Sequence, residues 1–396
     1  NDATWNRVRF SSIKDSSQNA KSFGESYTIK DRGVLNVNLD IEYVDSTHDT
    51  NADNKLVNGD SMTDKKPGQE YVEQNYQGDK SQNVYLVRDD GNSSKKEVSD
   101  AGITMLSMSK ANYANAVYMD RLNKRLGEAR FVVGESGVWT RARHDHIGKE
   151  DSFTINNTMF NLGYNHASFF KEGKNYFGVA FDYMHGETDY KQVLGEGKVN
   201  RMGLWLYDSY ISDDGHYADL VLKAARLDND FDLTTRSHGE QVHGEYDNFV
   251  YSLSGEYGFK HQFGQNYYVE PQVQLQYAYV TDADYGTSQG TTVEVDSIHS
   301  LIGRMGFRLG HDFSHGTVYF KADALNEFLG KQKLKAYDNT GVFNAEYENK
   351  GTWFDVGCGC TYSLNKNSYI FVDAESSFGN DNESTYQFNL GVNINF

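Results

Sequence analysis

The sequence predicts an all-β protein: a twelve-stranded antiparallel transmembrane β-barrel with an α-helix in its lumen, preceded by a short β-rich segment. Three observations support this fold class. Twelve segments of roughly ten residues alternate apolar and polar side chains, which is the period of a β-strand. The connections between these segments are alternately short and long. The 396-residue chain also holds 37 Gly but only 2 Pro, and 14% of its residues are aromatic, a composition that suits sheets better than helices.

The first 97 residues are polar and rich in Asn, Asp, Ser and Lys. Apolar and polar residues alternate from Leu35 to Tyr43, which predicts a strand, and the mostly apolar stretch from Asn83 to Val87 predicts a second short strand. Residues 48–69, which lie between them, are rich in turn-forming residues and are typical of a loop. We therefore expect a small β-rich unit at this end of the chain.

Residues 98–129 predict a slender α-helix. The segment has no Pro, Ser99 or Asp100 can cap its start, and Gly127 can end it. Its apolar residues recur at roughly helical spacing, and much of the remainder is Ser, Ala and Asn. Such a helix fits a narrow polar space, and its position just before the first barrel strand favours the lumen. A surface helix packed on a sheet is the alternative.

Residues 130–396 contain the twelve strands. From Val273 to Tyr279, large apolar residues alternate with Gln and Ala, and the last strand alternates in the same way from Tyr386 to Phe396. In a membrane barrel the apolar face meets lipid and the polar face lines the lumen. The strands are expected to start near Val138, Thr158, Tyr176, Val199, Tyr217, Asn248, Tyr267, Ile298, Thr317, Trp353, Tyr369 and Thr385.

The connections and the polar face both favour a membrane barrel. Long loops are expected at residues 147–157, 186–198, 229–247, 281–297 and 327–351, with short turns between them. Short turns on one side and long loops on the other are typical of outer-membrane barrels. A soluble sandwich or lipocalin-like barrel is the alternative, but its apolar face would point inward. The residues expected to face the lumen include Trp139, Arg141, Arg143, Glu270, Arg304 and Arg308.

Charge and hydropathy exclude several other classes of protein. The chain has 38 Lys and Arg against 56 Asp and Glu, a net charge of −18, whereas nucleic-acid binding needs a basic surface. No apolar run reaches the roughly 18 residues of a membrane-spanning helix. The first residues do not form a basic and apolar leader, so the chain is expected to be a processed product or a fragment.

Candidate catalytic and metal-binding residues are few. Residues 59–62, Gly-Asp-Ser-Met, match a hydrolase motif only faintly and lie in a polar loop without a strand–turn–helix context. His144 and His146 share a strand face, but no third metal ligand is identifiable. Cys358 and Cys360 are two apart on a strand, too far for good disulfide geometry, and are expected to be free. The sequence therefore predicts neither enzyme nor metal or cofactor site.

Several short motifs, in order, resemble the translocator unit of classical autotransporters, the type V secretion family. The helix ends in Leu122-Asn123-Lys124-Arg125-Leu126-Gly127, similar to the stretch that ends the helix in that family. The first strand carries Gly137-Val138-Trp139-Thr140-Arg141, similar to the family's Gly-x-Trp motif followed by Arg. Residues 270–272 and 296–306 resemble segments of its middle strands. The resemblance covers about residues 98–396.

The carboxy-terminal strand resembles an outer-membrane assembly signal. Such strands end in an aromatic residue and carry a polar residue, then a Gly two positions on, then two large apolar residues. Asn389, Gly391, Ile394 and Phe396 fit that pattern.

The resemblance implies a domain order and a function. Residues 1–97 would be the end of a secreted passenger with β-helix-like coils, 98–129 a pore-threading helix, and 130–396 the barrel. The chain would insert in the outer membrane of a Gram-negative bacterium as a monomer, with lipid and the barrel-assembly machinery as partners, and anchor its passenger in cis at the surface. A porin- or receptor-like barrel with an N-terminal plug, or a barrel-embedded hydrolase, are the alternatives.

The resemblance also raises the question of self-cleavage. Some autotransporters cut their own helix at an Asn-Asn pair just before the Leu-Asn-Lys-Arg stretch, where the first Asn attacks its own carbonyl. Here the corresponding positions are Asp120 and Arg121. A carboxylate is the poorer nucleophile for that cyclisation, so we expect helix and barrel to stay joined.

Overall fold

The computed structural model describes residues 5–14, 26–29, 33–45, 56–58, 81–88, 97–131, 134–236 and 239–396. The hydrolase-like motif at residues 59–62 and most of the predicted loop at 48–69 lie outside these ranges. Among the described residues, no helix combines the length and the hydropathy that a membrane crossing requires.

The amino-terminal part is an antiparallel sheet. The two predicted strands are present, and every described pairing in the sheet order β2-β3-β5-β1-β4 is antiparallel. The β-helix-like coils expected for residues 1–97 would need parallel pairing, so that expectation is not met here. Alternating residues identify a strand but not the direction of its partner, which explains the difference. The strands are β1 Trp5–Lys14, β2 Ser26–Ile29, β3 Val37–Asp45, β4 Leu56–Asn58 and β5 Ser81–Arg88.

The helical segment is interrupted rather than continuous over 98–129. Helix α1 spans Asp100–Ala116, with the Ser99 side chain accepting from the Gly102 N–H as its cap. Helix α2 spans only Leu122–Leu126, and a 3₁₀ turn follows at Ala129–Phe131. Residues 117–121 between α1 and α2, the linker, are not helical.

The remaining strands form the barrel and a second sheet. Twelve of them close into one antiparallel barrel, in which β22 pairs with β6 and β11 pairs with β13. The strands are β6 Ser136–Lys149, β7 Phe153–Phe170, β8 Gly173–Tyr190, β9 Leu194–Ser212, β10 His216–Thr234, β11 Gln241–Phe259, β12 His261–Phe263, β13 Tyr267–Val280, β14 Ala283–Gly286, β15 Thr292–Val295, β16 Ile298–Phe313, β17 Gly316–Glu327, β18 Lys331–Asp338, β19 Gly341–Glu348, β20 Gly351–Asn365, β21 Ser368–Gly379 and β22 Asn382–Asn395. The barrel strands are β6 to β11, β13, β16, β17 and β20 to β22.

The twelve predicted strands are confirmed, but most of the predicted long loops are strand as well. Strands β7 to β11 are 18 or 19 residues long, and residues 147–157, 186–198 and 229–247 lie mostly within β6 to β11. The other two predicted loops contain the four-stranded sheet β14-β15-β18-β19. The sequence predicts shorter strands because, in their outer parts, apolar residues face inward and polar residues face outward. On the outer part of β10, Phe231 and Leu233 face inward and are buried, and Asp232 between them is exposed.

Both ends of the barrel chain meet at the side of the short turns. The N–H of Phe396 donates to the carbonyl of Ser136 at 2.8 Å, and the Ser136 N–H donates back at 3.2 Å. Outside the barrel, large apolar side chains are exposed over a continuous band, as expected for a lipid-facing surface.

Candidate functional site: the segment inside the barrel

The linker and α2 fill the inner half of the lumen, and their charged side chains are almost fully buried there. Asp120 is held from two sides of the lumen. Its Oδ1 accepts from Arg141 Nη1 of β6 at 2.7 Å, and its backbone carbonyl accepts from Gln274 of β13 at 2.7 Å. Arg141 Nη1 also donates to the Lys124 carbonyl at 3.0 Å, so one guanidinium holds both the linker and α2.

The next residue, Arg121, contacts a different part of the lumen wall. Its guanidinium donates to Asp323 of β17 at 2.7 Å and to Asp355 of β20 at 3.1 Å. Lys124 joins the same acidic group through Glu375 of β21. Successive side chains of an extended chain point in opposite directions, whereas in a helix they would differ by only about 100°. Val117 and Arg121 both have extended backbone angles, so the predicted helix is broken at the linker.

Further ion pairs bind α2 and the 3₁₀ turn. Arg125 donates to Asp219 of β10 at 2.6 Å, and its guanidinium lies 4.3 Å from the centre of the Tyr207 ring. Glu128 is surrounded by cations, with Arg130 at 2.9 Å and Arg308 at 3.5 Å. Buried ion pairs of this kind add little net stability but fix one arrangement, because a lost partner leaves a charge buried alone.

Tyr118 of the linker sits in a cage of three cations. The Arg143, Arg201 and Lys223 side chains lie 4.2, 4.6 and 4.5 Å from the centre of its ring. Lys223 also lies 4.2 Å from the Trp205 ring, and its ammonium has no hydrogen-bond acceptor among the described residues. Its direct contacts are therefore with aromatic faces and not with a hydrogen-bonded carboxylate.

An aromatic collar surrounds α2 at the end of the barrel with short turns. Each member lies within a few residues of such a turn and faces inward. The Tyr369 hydroxyl donates to the Leu126 carbonyl at 2.6 Å, and the Tyr176 hydroxyl donates to the Ala129 carbonyl at 3.3 Å. The collar consists of Trp139, Tyr176, Tyr207, Tyr217, Tyr268, Tyr319, Tyr369 and Phe371, contributed by β6, β8, β9, β10, β13, β17 and β21.

Six collar rings lie over a glycine on a neighbouring strand. A Cβ atom at any of these glycines would overlap the ring, so the absence of a side chain is what admits it. The pairs are Trp139 with Gly163, Tyr207 with Gly178, Tyr217 with Gly258, Tyr268 with Gly310, Tyr319 with Gly359, and Phe371 with Gly391.

The outer half of α1 packs in an apolar cluster at the other end of the barrel. Met105 and Met108 contact the inward side chains of the long strands and of the β14-β15-β18-β19 sheet, including Phe231 and Tyr285. Burial, and secondarily the nearby Tyr246, raises the pKa of the Tyr285 hydroxyl well above its usual value, so this hydroxyl stays protonated within the cluster.

All six residues predicted to face the lumen lie inside the barrel and are buried. Arg308 pairs with Glu270 at 2.6 Å, Arg304 with Asp323 at 2.7 Å, and Arg143 with Asp145 at 2.5 Å. Trp139 is part of the aromatic collar, and Arg141 forms the salt bridge with Asp120. The junction residues Leu122, Asn123, Arg125 and Gly127 are brought together within the collar.

The carboxy-terminal residues divide between the two faces of β22. Asn389 and Gly391 point inward, whereas Ile394 and Phe396 are exposed on the lipid side. Recognition of this strand by an assembly machinery stays a prediction.

Sequence reasoning missed Tyr118, Arg201, Asp219 and Lys223. The signal available was a charged residue at an inward position between outward apolar residues, as with Lys223 between Leu222 and Ala224. Neither the histidine pair nor the cysteine pair forms part of a site. His144 and His146 point outward, and Cys358 and Cys360 are free. The described residues contain no group of three His, Cys, Asp or Glu side chains that could hold a metal ion.

A closed twelve-stranded barrel with a lipid-facing exterior, filled by its own N-terminal segment, defines an outer-membrane translocator. The chain belongs to the autotransporter family, because the family model described as "Autotransporter beta-domain" matches residues 136–375. This places the barrel in the outer membrane of a Gram-negative bacterium. The fold class and the translocator prediction are thereby confirmed.

Relatives and solved structures agree with that membership. The chain is 28% identical over 288 residues to the probable autotransporter YcgV of Escherichia coli K12, covering 68% of this chain and 29% of that one. It is 27% identical over 279 residues to the pertactin autotransporter of Bordetella parapertussis, covering 68% and 30%. It thus spans under a third of the length of these relatives.

Two solved translocators share the fold. The β-domain of the Bordetella autotransporter BrkA aligns with a TM-score of 0.55 at 21% identity, covering 66% of this chain and all of that one. The translocator domain of NalP from Neisseria meningitidis aligns with a TM-score of 0.56 at 12% identity, covering 74% and 99%.

Proposed function

We propose that residues 98–396 export the passenger through the outer membrane and then hold it there as a covalent tether, so that it is displayed and not released. The supporting observation is that the Asp120 carboxylate is committed to a salt bridge with Arg141. At the position where some relatives carry a self-cleaving Asn, this chain has a weaker nucleophile that is already occupied.

The topology supports the direction of export. An even number of strands leaves both barrel ends on the periplasmic side, and the Ser136 and Phe396 backbones are hydrogen-bonded to each other. From residue 131 the segment then runs outward through the collar, the linker and α1 to residue 98. Residues 1–97 would accordingly be the surface-exposed end of the passenger.

The ion pairs support retention. Asp120 and Arg121 bind different strands of the lumen wall, so sliding or rotating the segment would separate both pairs at once. Each separated pair would leave buried charges without partners, which costs several kcal/mol. The segment therefore stops at one depth and one rotation.

We further propose that the chain acts without an active site of its own, inserts as a monomer, and is assembled from its last strand by the barrel-assembly machinery. Some relatives are named as serine proteases. The match to the serine protease EspP covers only 16% of that protein, in line with an activity that lies outside the matched part.

The experiment is to express the barrel with its full passenger and to measure the mass of the barrel species on a denaturing gel. We expect one joined chain, and the same mass for Asp120→Ala and for the surface control Asp228→Ala. A barrel fragment starting near Arg121 that disappears in Asp120→Ala alone would contradict the tether.

A further inference from the structure

Beside α1 the lumen contains a cavity of about 310 Å³. Its mouth is formed by exposed residues of three outer turns, among them Glu150, Glu348 and Asp381. Its lining then passes Ala114 and Ser377 and ends at buried residues of the linker and α2 such as Lys124. A space of this volume, lined in part by charged side chains such as Lys124 and Glu150, holds several water molecules.

The cavity lies on one side of α1 because the helix leans on the other wall. Asn112 donates to Asn229 of β10 and to Asn248 of β11 at 3.0 Å each, and Asn115 accepts from Asn157 of β7 at 2.8 Å. On the side of β6 and β20 to β22, a gap remains. Helix α1 therefore does not fill the outer half of the lumen.

Past the floor of the cavity, the packing changes. Leu126 and Ala129 are 1% and 2% exposed inside the aromatic collar. A void among Leu122, Gly127 and Tyr217 measures about 10 Å³. That volume is at or below the smallest space that admits one water molecule.

We infer that the aromatic collar closed around α2, and not α1, is the permeability barrier of the resting translocator. The outer cavity is then a blind vestibule, filled with water and open at the cell surface. This inference rests on the proposed function for its orientation only, since the contrast between cavity and collar is independent of which end faces outward.

The collar contacts explain how the barrier holds. The hydroxyls of Tyr369 and Tyr176 bind backbone carbonyls on either side of Gly127, so α2 and the 3₁₀ turn are fixed to the rings themselves. These contacts involve no residue of α1. Loss of side chains from the vestibule should consequently leave the pore closed.

A thiol-labelling experiment tests the vestibule in intact cells. Cys358 and Cys360 are replaced by Ala, and single cysteines are introduced as Ala114→Cys, Ser377→Cys or Ala129→Cys. A membrane-impermeant methanethiosulfonate added outside should label the first two and leave the collar position unreacted. Failure to label either vestibule position, or equal labelling of Ala129→Cys, would overturn the inference. Labelling of the vestibule from the periplasmic side alone would instead overturn the orientation.

Conductance in planar bilayers tests the barrier itself. The double variant Tyr176→Ala/Tyr369→Ala should raise conductance severalfold, whereas Tyr176→Phe/Tyr369→Phe, which keeps the rings, should stay closed. The matched vestibule variant Tyr113→Ala/Tyr347→Ala should stay at the wild-type level. Opening by the vestibule pair, or a closed pore in the folded collar pair, refutes the inference. If the collar pair does not fold, the labelling result decides.

Discussion

At the scale of single residues, the structure of the segment inside the lumen depends on individual ion pairs. Arg141 holds the linker through three contacts, since it binds the Asp120 carboxylate, the Lys124 carbonyl and Asn161. A buried pair of this kind contributes little compared with an apolar pair, but removing one member is costly because the other stays buried.

We therefore expect Arg141→Ala to lower the free energy of unfolding by about 3 to 5 kcal/mol. The matched control is Arg226→Ala, because Arg226 pairs with Asp247 at 2.8 Å but is 52% exposed, where such pairs contribute about 0 to 1 kcal/mol. The measurement is the urea midpoint of the folded barrel in detergent. Equal decreases in the free energy of unfolding of the two variants would show that the lumenal pair contributes no more to stability than the exposed pair.

Gly391 illustrates a residue with two competing explanations. The sequence predicts that an assembly machinery reads it, and the structure also packs the Phe371 ring against its backbone. Gly391→Ala should thus strain the collar and cost about 1 to 3 kcal/mol. The combination with Phe371→Leu should recover part of that loss.

Deletion of Phe396 provides the contrast. This side chain is 66% exposed on the lipid face, so its removal should lower the amount of folded barrel in the outer membrane while the folded fraction unfolds near its usual midpoint. A Gly391→Ala variant with normal stability but low abundance would favour the assembly signal over packing.

At the scale of elements, lipid and lumen impose opposite demands on the two faces of each strand. Replacing the lipid-facing Leu275 with Arg should destabilise the barrel by about 2 to 4 kcal/mol near the midplane. Gln274 is unsuitable as the lumenal control, because it contacts both Asp120 and Arg304. Ser377→Arg is the better one, since this side chain lines the cavity beside Asp355. Equal tolerance of both variants in a heat-modifiability gel would contradict the membrane assignment.

The same demands determine how much of the fold could be predicted from sequence. Within the membrane, strict alternation identified all twelve strands and the inward position of residues such as Arg304. Beyond it, the strands continue with the polarity reversed, Phe231 inside and Asp232 outside, so they were mistaken for loops. The break at the linker could not be predicted, because it depends on carboxylates more than 200 positions away, such as Asp323 and Asp355.

At the scale of the whole molecule, the linker lies between two groups of buried charges. It faces cations from β6, β9 and β10 and carboxylates from β17, β20 and β21, although Asp145, Asp219 and Lys321 on the same strands carry the opposite charges. The cations are Arg141, Arg143, Arg201 and Lys223, and the carboxylates are Asp323, Asp355, Asp373 and Glu375. The linker meets these groups with an acid followed by a base, so the order of two adjacent residues matches the charges that each of them contacts.

Exchanging those two residues tests the match while it preserves composition and net charge. In Asp120→Arg/Arg121→Asp, a cation would face Arg141 and a carboxylate would face Asp323, both in buried surroundings where like charges repel strongly. We expect a lower urea midpoint and less passenger exposed at the cell surface, measured by antibody binding to intact cells. The control exchange Arg226→Asp/Asp228→Arg swaps an exposed pair on the outside of β10 and should change neither quantity. A wild-type urea midpoint and a wild-type level of surface passenger in the lumenal exchange would show that the order of these two charges does not matter for holding the segment.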